Sequence, residues 1–351
     1  MDLPDGFPVA PMLAKAVPEV PDADGLSYEP KWDGFRAIAY VDGDASHEHS
    51  VELDSRGSKP LTRYFPELVA EFTRQLGVSC VLDGEIVVRQ GTPGGEKLDW
   101  EALSQRIHPA ESRIARLAAE TPAAFVAFDL LYLDGRSLLD EPFETRRAAL
   151  ELLFQTLEAP LHLTQVTRDV AIARRWLDEF EGAGLDGVVS KPLAAVYSPN
   201  KRVMFKTKHA RTADVVVLGY RIHKSGSGVG SLLLGLYDAD GALLNVGGIS
   251  AFSDARRQSL IAELEPLVLR DDSGDPVTGE TDRSRFSGSK DVSFVRLRPE
   301  LVVEVRYDQM EGRRFRHTVQ FDRWRPDRDA RSCTFDQLER PVAYDLGDVL
   351  S

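Results

Sequence analysis

The texture of the chain changes near His209, and that change limits the architectures open to it. Before it, β-branched runs alternate with amphipathic helical stretches. After it come short alternating segments, Gly-rich turns and one helical stretch. Ser27 to Tyr40 reads as strand, loop, strand, and Phe35–Val41 runs into Asp42-Gly43, a hairpin turn. Pro66–Leu76 has helical spacing with Pro near its start. Val78–Asp83 and Glu85–Arg89 are β-branched runs around Gly84, and Ala123–Tyr132 is a buried-strand candidate closed by Asp134-Gly135. Thr145–Leu153 and Asp169–Phe180 read as helices, the second ended by Gly182 and Gly184, before Leu185–Ser190 returns as strand. Beyond His209, segments at Asp214–Arg221, Ser231–Tyr237, Leu243–Gly248 and Val302–Asp308 surround a helix at about Ser253–Leu264, the pattern of a small β-barrel. Asp271–Ser289, rich in Gly, Ser, Thr, Asp and Arg, is expected to be a surface loop. The reading is therefore α+β with two domains, 1–209 and 210–351, in a chain of 351 residues that is long enough for two cores.

Composition matters for compartment and partner. Two cysteines, Cys80 and Cys333, build neither a four-cysteine zinc site nor a disulfide framework, which fits a reducing, cytoplasmic setting. Met1–Pro21 has no basic run ahead of an apolar core, and no window reaches the roughly 18 apolar residues of a membrane span, so no membrane partner is expected. A net charge of −13 argues against a polyanionic partner. Its distribution argues back: Lys201, Arg202, Lys206, Lys208, Arg211, Arg221 and Lys224 face a single acid, Asp214, in that stretch.

One segment carries chemistry. Glu29-Pro30-Lys31-Trp32-Asp33-Gly34-Phe35-Arg36 puts a lysine beside an Asp-Gly turn between two strands. A lysine amine attacks phosphorus only when neutral, so a nucleophilic role needs nearby cations or burial to lower its pKa. Lys206 and Lys208 are candidates to supply that positive potential and to hold phosphate oxygens. Taken alone, Lys-x-Asp-Gly is the sequence of a surface hairpin. Its companions change that reading. The segment resembles motif I, Lys-x-Asp-Gly-x-Arg, of the covalent nucleotidyltransferases, the superfamily of DNA ligases, RNA ligases and mRNA capping enzymes. Ser55-Arg56-Gly57, Asp83-Gly84-Glu85-Ile86-Val87, Phe128-Asp129-Leu130-Leu131, Asp186-Gly187-Val188-Val189-Ser190-Lys191 and Phe205-Lys206-Thr207-Lys208 resemble motifs Ia, III, IIIa, IV and V, in that order. Arg323-Trp324-Arg325-Pro326-Asp327-Arg328 resembles motif VI of DNA ligases.

The resemblance implies a nucleotidyltransferase (adenylation) domain of antiparallel sheets with flanking helices, followed by an OB-fold barrel. It implies that ATP adenylates Lys31, that AMP passes to the 5′-phosphate of a nick in duplex DNA, and that the 3′-hydroxyl displaces it. These are attacks on phosphorus, which need positioning and charge stabilisation. By the same resemblance Lys206 and Lys208 face the α-phosphate and Lys191 is a further phosphate contact. Arg36 and Arg56 reach ribose or phosphate, Phe128 lies on the adenine face, and Glu29 sits near the adenine amino group. Glu85 reaches the ribose and, with Asp186, serves Mg2+, or alternatively Mn2+. Asp186 departs from the family's usual glutamate, and its shorter carboxylate must sit closer or act through water. Arg325 and Arg328 orient the pyrophosphate leaving group when the barrel closes, with Lys201–Arg211 as the hinge; Arg328 replaces a common lysine.

Phe7–Ala14, Gly184–Lys191, Arg316–Thr318 and Trp324–Arg328 resemble the bacterial ATP-dependent repair ligases, of the stand-alone LigC type and the ligase module of LigD. With a short stretch ahead of Lys31, a large N-terminal DNA-binding domain is not expected, and the cysteine count disfavours the zinc-bearing NAD-dependent ligases. The expected protein is a nucleoid-associated monomer whose partner is nicked duplex DNA, bound without base reading and in a salt-dependent way. Its repair-protein partners are not named by the sequence. The alternatives are an RNA-directed enzyme, either an RNA ligase or a GTP-dependent capping enzyme, and a non-catalytic OB-type DNA-binding protein.

Overall fold

The computed structural model describes residues 6–43, 51–281, 293–339 and 341–350. Its contacts divide the chain into two compact units, Met1–Lys208 with Pro341–Ser351, and His209–Arg340.

The first unit is built on two sheets. In one, four strands are ordered Leu13–Ala16, Arg202–Thr207, Val188–Pro192, Leu26–Pro30. In the other, Val51–Ser55, Phe35–Val41, Cys80–Gln90 and Ala123–Leu133 lie side by side, antiparallel throughout. Alternation along Phe35–Val41 sends Ala37, Ala39 and Val41 to one face, where Phe65, Leu68 and Phe72 cover them. Phe65 directly precedes the helix Pro66–Gln75, which carries Leu68 and Phe72. Ile38 and Tyr40 go to the opposite face and pack with Met12, Tyr197 and Met204, from or beside the four-stranded sheet. A further cluster joins Leu26, Tyr28 and Val188 of the first sheet to Val87, Val126 and Phe128 of the second. The second sheet is thus covered on both faces, one by helices and one by the other sheet.

The sequence left unassigned the helices Trp100–Gln105 and Glu111–Glu120 and the strands Leu13–Ala16 and Arg202–Thr207. Val78–Asp83 and Glu85–Arg89 form one strand, Cys80–Gln90, through Gly84. The strand expected at Leu185–Ser190 starts later, at Val188, because the preceding turn uses Gly184 and Gly187 at positive φ. Phe35–Val41 pairs with Val51–Ser55, Val41 opposite Val51, so the hairpin forms. Its connection beyond Gly43 lies outside the described residues.

The second unit curls around one long strand, Arg211–Ile222. Its first half pairs with Val302–Tyr307 and its second with Ser293–Arg296, while Val229–Tyr237 lies along its other side. Leu243–Ile249 continues beyond Val229–Tyr237, and Gln320–Trp324 beyond Val302–Tyr307. Val319 N–H donates to the Gly248 carbonyl at 3.2 Å, drawing the two outer strands together as in an OB-fold barrel. The helix Asp254–Leu264, capped by Ser253, buries Leu260 and Leu264 in the barrel core. Within the expected loop Asp271–Ser289, Thr278–Glu280 is instead a short strand paired with Ser293–Arg296, and 282–289 lie outside the described residues.

One assignment changes at the end of the chain. The second domain was expected to run to residue 351, yet 341–351 belongs to the first unit. Leu346 and Val349 are fully buried among Trp176, Phe180 and Ala183, and Leu346 N–H donates to the Glu96 carbonyl at 2.9 Å. Burial of two such side chains, each worth about 1.5–3 kcal/mol, anchors so short a segment. Among the described residues, no helix is long and apolar enough to cross a membrane.

Candidate active site

The ladder between Leu26–Pro30 and Val188–Pro192 runs on past both strands. Lys31 N–H donates to the Gly187 carbonyl at 2.8 Å, and Asp186 N–H donates to the Lys31 carbonyl at 2.9 Å. Lysine and aspartate, 155 residues apart, therefore meet: Lys31 Nζ lies 2.5 Å from Asp186 Oδ2. Only glycine fits at 187, where φ is +131° and a Cβ would lie 2.0 Å from the Thr207 carbonyl oxygen. Gly34 is equally confined, since a Cβ there would meet the Ile86 oxygen at 2.1 Å. The closeness lets Gly34 N–H donate to Glu85 Oε1 at 3.1 Å and pins the Asp-Gly turn to the second sheet.

Register gathers the remaining lysines. Glu29 is opposite Val189, and Val189 opposite Lys206, so these side chains share one face, as do Lys31 and Lys191 by period-two alternation. That face lines a cleft of about 320 Å3, together with Met12, Arg36, Arg56, Glu85, Phe128 and Met204.

At one end Asp186 is surrounded by lysines. Its Oδ2 also pairs with Lys208 Nζ at 2.8 Å, while its Oδ1 is buried with no hydrogen-bond partner among the described residues. Burial, then the neighbouring Lys31 and Lys208 cations, push the Lys206 ammonium below its ordinary pKa. Burial raises the Glu85 carboxyl to about 7, against the opposing pull of Arg36 and Lys31.

At the other end Lys191 is 3% exposed and pairs with Glu29 Oε1 at 2.9 Å. Its Nζ donates to the Phe128 carbonyl at 3.0 Å and stands 4.7 Å from the Phe128 ring centroid. The ammonium that the sequence reading gave to phosphate is thus engaged by Glu29 and Phe128, because Lys191 lies diagonally across the ladder from Glu29. Burial raises the Glu29 pKa, with Lys191 as the strongest opposing influence.

Arg36 forms a two-pronged pair with the fully buried Asp83, at 2.5 and 2.6 Å, and its guanidinium lies 4.6 Å from the Phe128 centroid. Burial would lower its pKa, but Asp83 outweighs that and raises it. Asp83 also accepts the Tyr197 hydroxyl at 2.6 Å. Neither Asp83 nor Tyr197 was singled out from sequence, although Asp83 shares a strand face with Glu85 by simple alternation. Arg56 is exposed at the cleft, its backbone N–H donating to the Arg36 carbonyl at 3.1 Å.

In the second unit Arg325 Nη1 lies 3.0 Å from Asp214 Oδ1, and Arg325 Nη2 lies 2.8 Å from Asp327 Oδ2. Arg328 lies 3.5 Å from Asp214 Oδ2. Hydrogen bonds donated by Arg325, then Asp327's own backbone N–H and the Arg325 charge, hold the Asp327 carboxyl down at about 2 against its burial. Asp214, the one acid in the basic stretch, therefore organises both arginines.

A divalent cation has limited protein support. Among the described residues no three His, Cys, Asp or Glu side chains come together to hold a metal. Glu85 and the unpartnered Asp186 Oδ1 suit a Mg2+ ion held otherwise by water and phosphate oxygens, and not a full protein cage.

Comparison with known proteins sets this geometry in a family. A family model described as "ATP dependent DNA ligase domain" matches residues 11–208, and one described as "ATP dependent DNA ligase C terminal region" matches 225–328. The chain is 56% identical to DNA ligase C2 of Mycolicibacterium smegmatis, over 97% of each chain. It is 55% identical to DNA ligase C of Mycobacterium tuberculosis, over 100% of this chain and 99% of that one. The multifunctional LigD protein of the latter organism is 33% identical over 83% of this chain but only 35% of its own length. A solved Lig E DNA ligase, 17% identical, covers 90% of this chain and 100% of its own with a TM-score of 0.56, which speaks for the fold.

Proposed function

Since the chain belongs to the ATP-dependent DNA ligases and is a DNA ligase, we propose that it seals 3′-hydroxyl/5′-phosphate nicks in duplex DNA through lysyl-AMP on Lys31. The observation that carries the reading is the Lys31–Asp186–Lys208 cluster, with Lys206 beside it, at one end of a cleft whose other end holds Glu29 and Phe128. A nucleotide laid along that cleft has its base at Glu29 and Phe128 and its α-phosphate at the lysines.

In the first step the neutral Lys31 amine attacks the α-phosphorus, the bond to pyrophosphate breaks, and the amine loses a proton as the phosphoramidate forms. Asp186 holds Nζ in place, and Lys206 and Lys208 offset the growing negative charge on the phosphoryl oxygens. Arg36, steadied by Asp83, supports Phe128 and the ribose, and Arg56 adds a cation at the rim. Glu85 and Asp186 would hold Mg2+, which supplies further charge neutralisation to the phosphates. Arg325 and Arg328 orient the pyrophosphate. In the second step AMP passes from Lys31 to the 5′-phosphate. In the third the 3′-hydroxyl displaces AMP. The domains proposed are a nucleotidyltransferase domain through residue 209 and an OB-fold domain after it, with 341–351 returned to the first. The setting proposed is DNA repair in the bacterial cytoplasm, as a nucleoid-associated monomer.

The test is incubation with Mg2+ and α-labelled ATP, GTP or adenylate-labelled NAD in turn, after pyrophosphate treatment, followed by a chase with nicked duplex. Label from ATP that is absent in Lys31→Ala and discharged as the nick seals is the expected result. Label from GTP alone would assign a capping-type reaction, and no label would remove the lysyl-AMP reading.

A further inference from the structure

We propose that the C-terminal segment 341–350 is a positioning element of the adenylation site: seated on the turn that leads into Asp186, it holds that carboxylate, and through it the Lys31 amine, in place. The inference rests on the reading of Lys31 as the residue that takes AMP. The helix Val170–Glu179 runs into the single-turn helix Phe180–Ala183, and three residues later the chain reaches the carboxylate that pairs with Lys31 at 2.5 Å. Within the turn Gly184 N–H donates to the Glu181 carbonyl at 2.9 Å, and Leu185 N–H donates to the Phe180 carbonyl at 3.2 Å. The placement of Asp186 therefore follows that of Phe180–Ala183.

The end of the chain sits directly on this turn. Gly182 has no room for a side chain, since a Cβ there would lie 1.8 Å from the Val342 carbonyl oxygen and 2.7 Å from the Tyr344 nitrogen. The Tyr344 ring centroid lies 5.0 Å from that of Phe180, and the fully buried Leu346 and Val349 share one apolar cluster with Phe180, Ala183 and Leu185. The segment is fastened elsewhere in the first unit as well. Leu346 N–H donates to the Glu96 carbonyl at 2.9 Å, and the Gln165 side-chain amide donates to the Val349 carbonyl at 2.7 Å. One helical turn is not stable by itself, so packing fixes Phe180–Ala183, and a close-packed interior passes a displacement on to its neighbours. Unseating 341–350 thus moves Asp186, and a misplacement of about 1 Å at a reacting group can cost about a hundredfold in rate.

The test measures covalent labelling from α-labelled ATP over a range of concentrations, in the full chain stripped of bound AMP and well below each variant's melting temperature. Gly182→Ala alters no residue of the segment and keeps a helical backbone that any residue adopts, yet its methyl group displaces Val342. It should lower the maximal labelling rate by about tenfold, while the half-saturating ATP concentration changes by less than about twofold. Tyr344→Ala should shift the maximal rate in the same direction and replaces Gly182→Ala should that variant not fold. Tyr344→Phe, which keeps the ring, should label as wild type does. In an Asp186→Asn background Gly182→Ala should slow labelling by no more than about twofold further, because the carboxylate it positions is gone. A lowered melting temperature with an unchanged labelling rate would overturn the proposal, and so would a tenfold loss that persists in Asp186→Asn. Wild type tells the two failures apart: with no label from ATP the reading of Lys31 falls, and with normal label only the role of the segment does.

Discussion

The two ends of the cleft are made from the same ingredients, a buried carboxylate and lysines on neighbouring strands, in different proportions. Glu29 meets one lysine, and the pair is neutral, dry and braced by aromatic rings. Asp186 meets Lys31 and Lys208, with Lys206 close by, and the Lys31 and Lys208 side chains are 21% and 26% exposed. A neutral end suits an uncharged base read by hydrogen bonds. A cationic, partly wet end suits a phosphate that arrives with charge and must leave again. Each carboxylate keeps one buried oxygen without a partner among the described residues.

The largest expected effect separates the ends outright. Lys31→Ala should abolish covalent labelling while still sealing a pre-adenylated nick to a measurable extent, because the last step makes no bond to the lysine. Loss of both activities in a folded variant would mean that the lysine does more than carry AMP. Next, Gly187→Ala should derange the cationic end, as its Cβ would sit 2.0 Å from the Thr207 carbonyl oxygen. We expect a lowered melting temperature and labelling reduced by about tenfold or more, with ATP:GTP preference retained because Glu29 and Lys191 lie further along the ladder. A changed preference would show that the two ends are coupled.

Asp186→Asn sharpens the comparison further. It keeps the shape but removes the charge that gathers Lys31 and Lys208, and should slow labelling by about tenfold, with a smaller effect on sealing pre-adenylated DNA. Equal loss in both assays would assign Asp186 to a step common to them.

The smallest effect is on stability. Glu85 is raised to about 7 in the fold against an ordinary 4.5, so the native state binds its proton more tightly than the unfolded chain. Its contribution is fully present below pH 4.5 and is lost as pH rises through about 7. In metal-free, nucleotide-free buffer, wild type should therefore lose stability relative to Glu85→Gln across that window, by on the order of 3 kcal/mol at most. Parallel stability profiles would mean that Glu85 is better solvated than its surroundings imply. The raised pKa also fits a carboxylate that stays poorly stabilised until a cation arrives.

Much of this was legible in the chain. Alternation and turn residues located Phe35–Val41, Ala123–Leu133 and the barrel strands, since a residue's face and a glycine's freedom are local properties. The ordered motifs bring Lys31, Glu85, Lys206 and Lys208 together, and mark Asp186 as a shorter carboxylate that must sit closer or act through water. Pairing was decided elsewhere. That Lys191 turns to Glu29, that Asp83 and Tyr197 brace Arg36, and that Asp214 gathers Arg325 and Arg328 all depend on strand register or on contacts far apart in sequence. The same holds for residues 341–350, whose apolar side chains are too few to announce themselves in sequence and become an anchor only where the first unit offers Trp176 and Phe180. The sequence determined the chemical groups and the local geometry that carries them, because both are set within a few residues. The tertiary structure alone decided which charge neutralises which, because that depends on distance and burial between strands separated by more than a hundred residues.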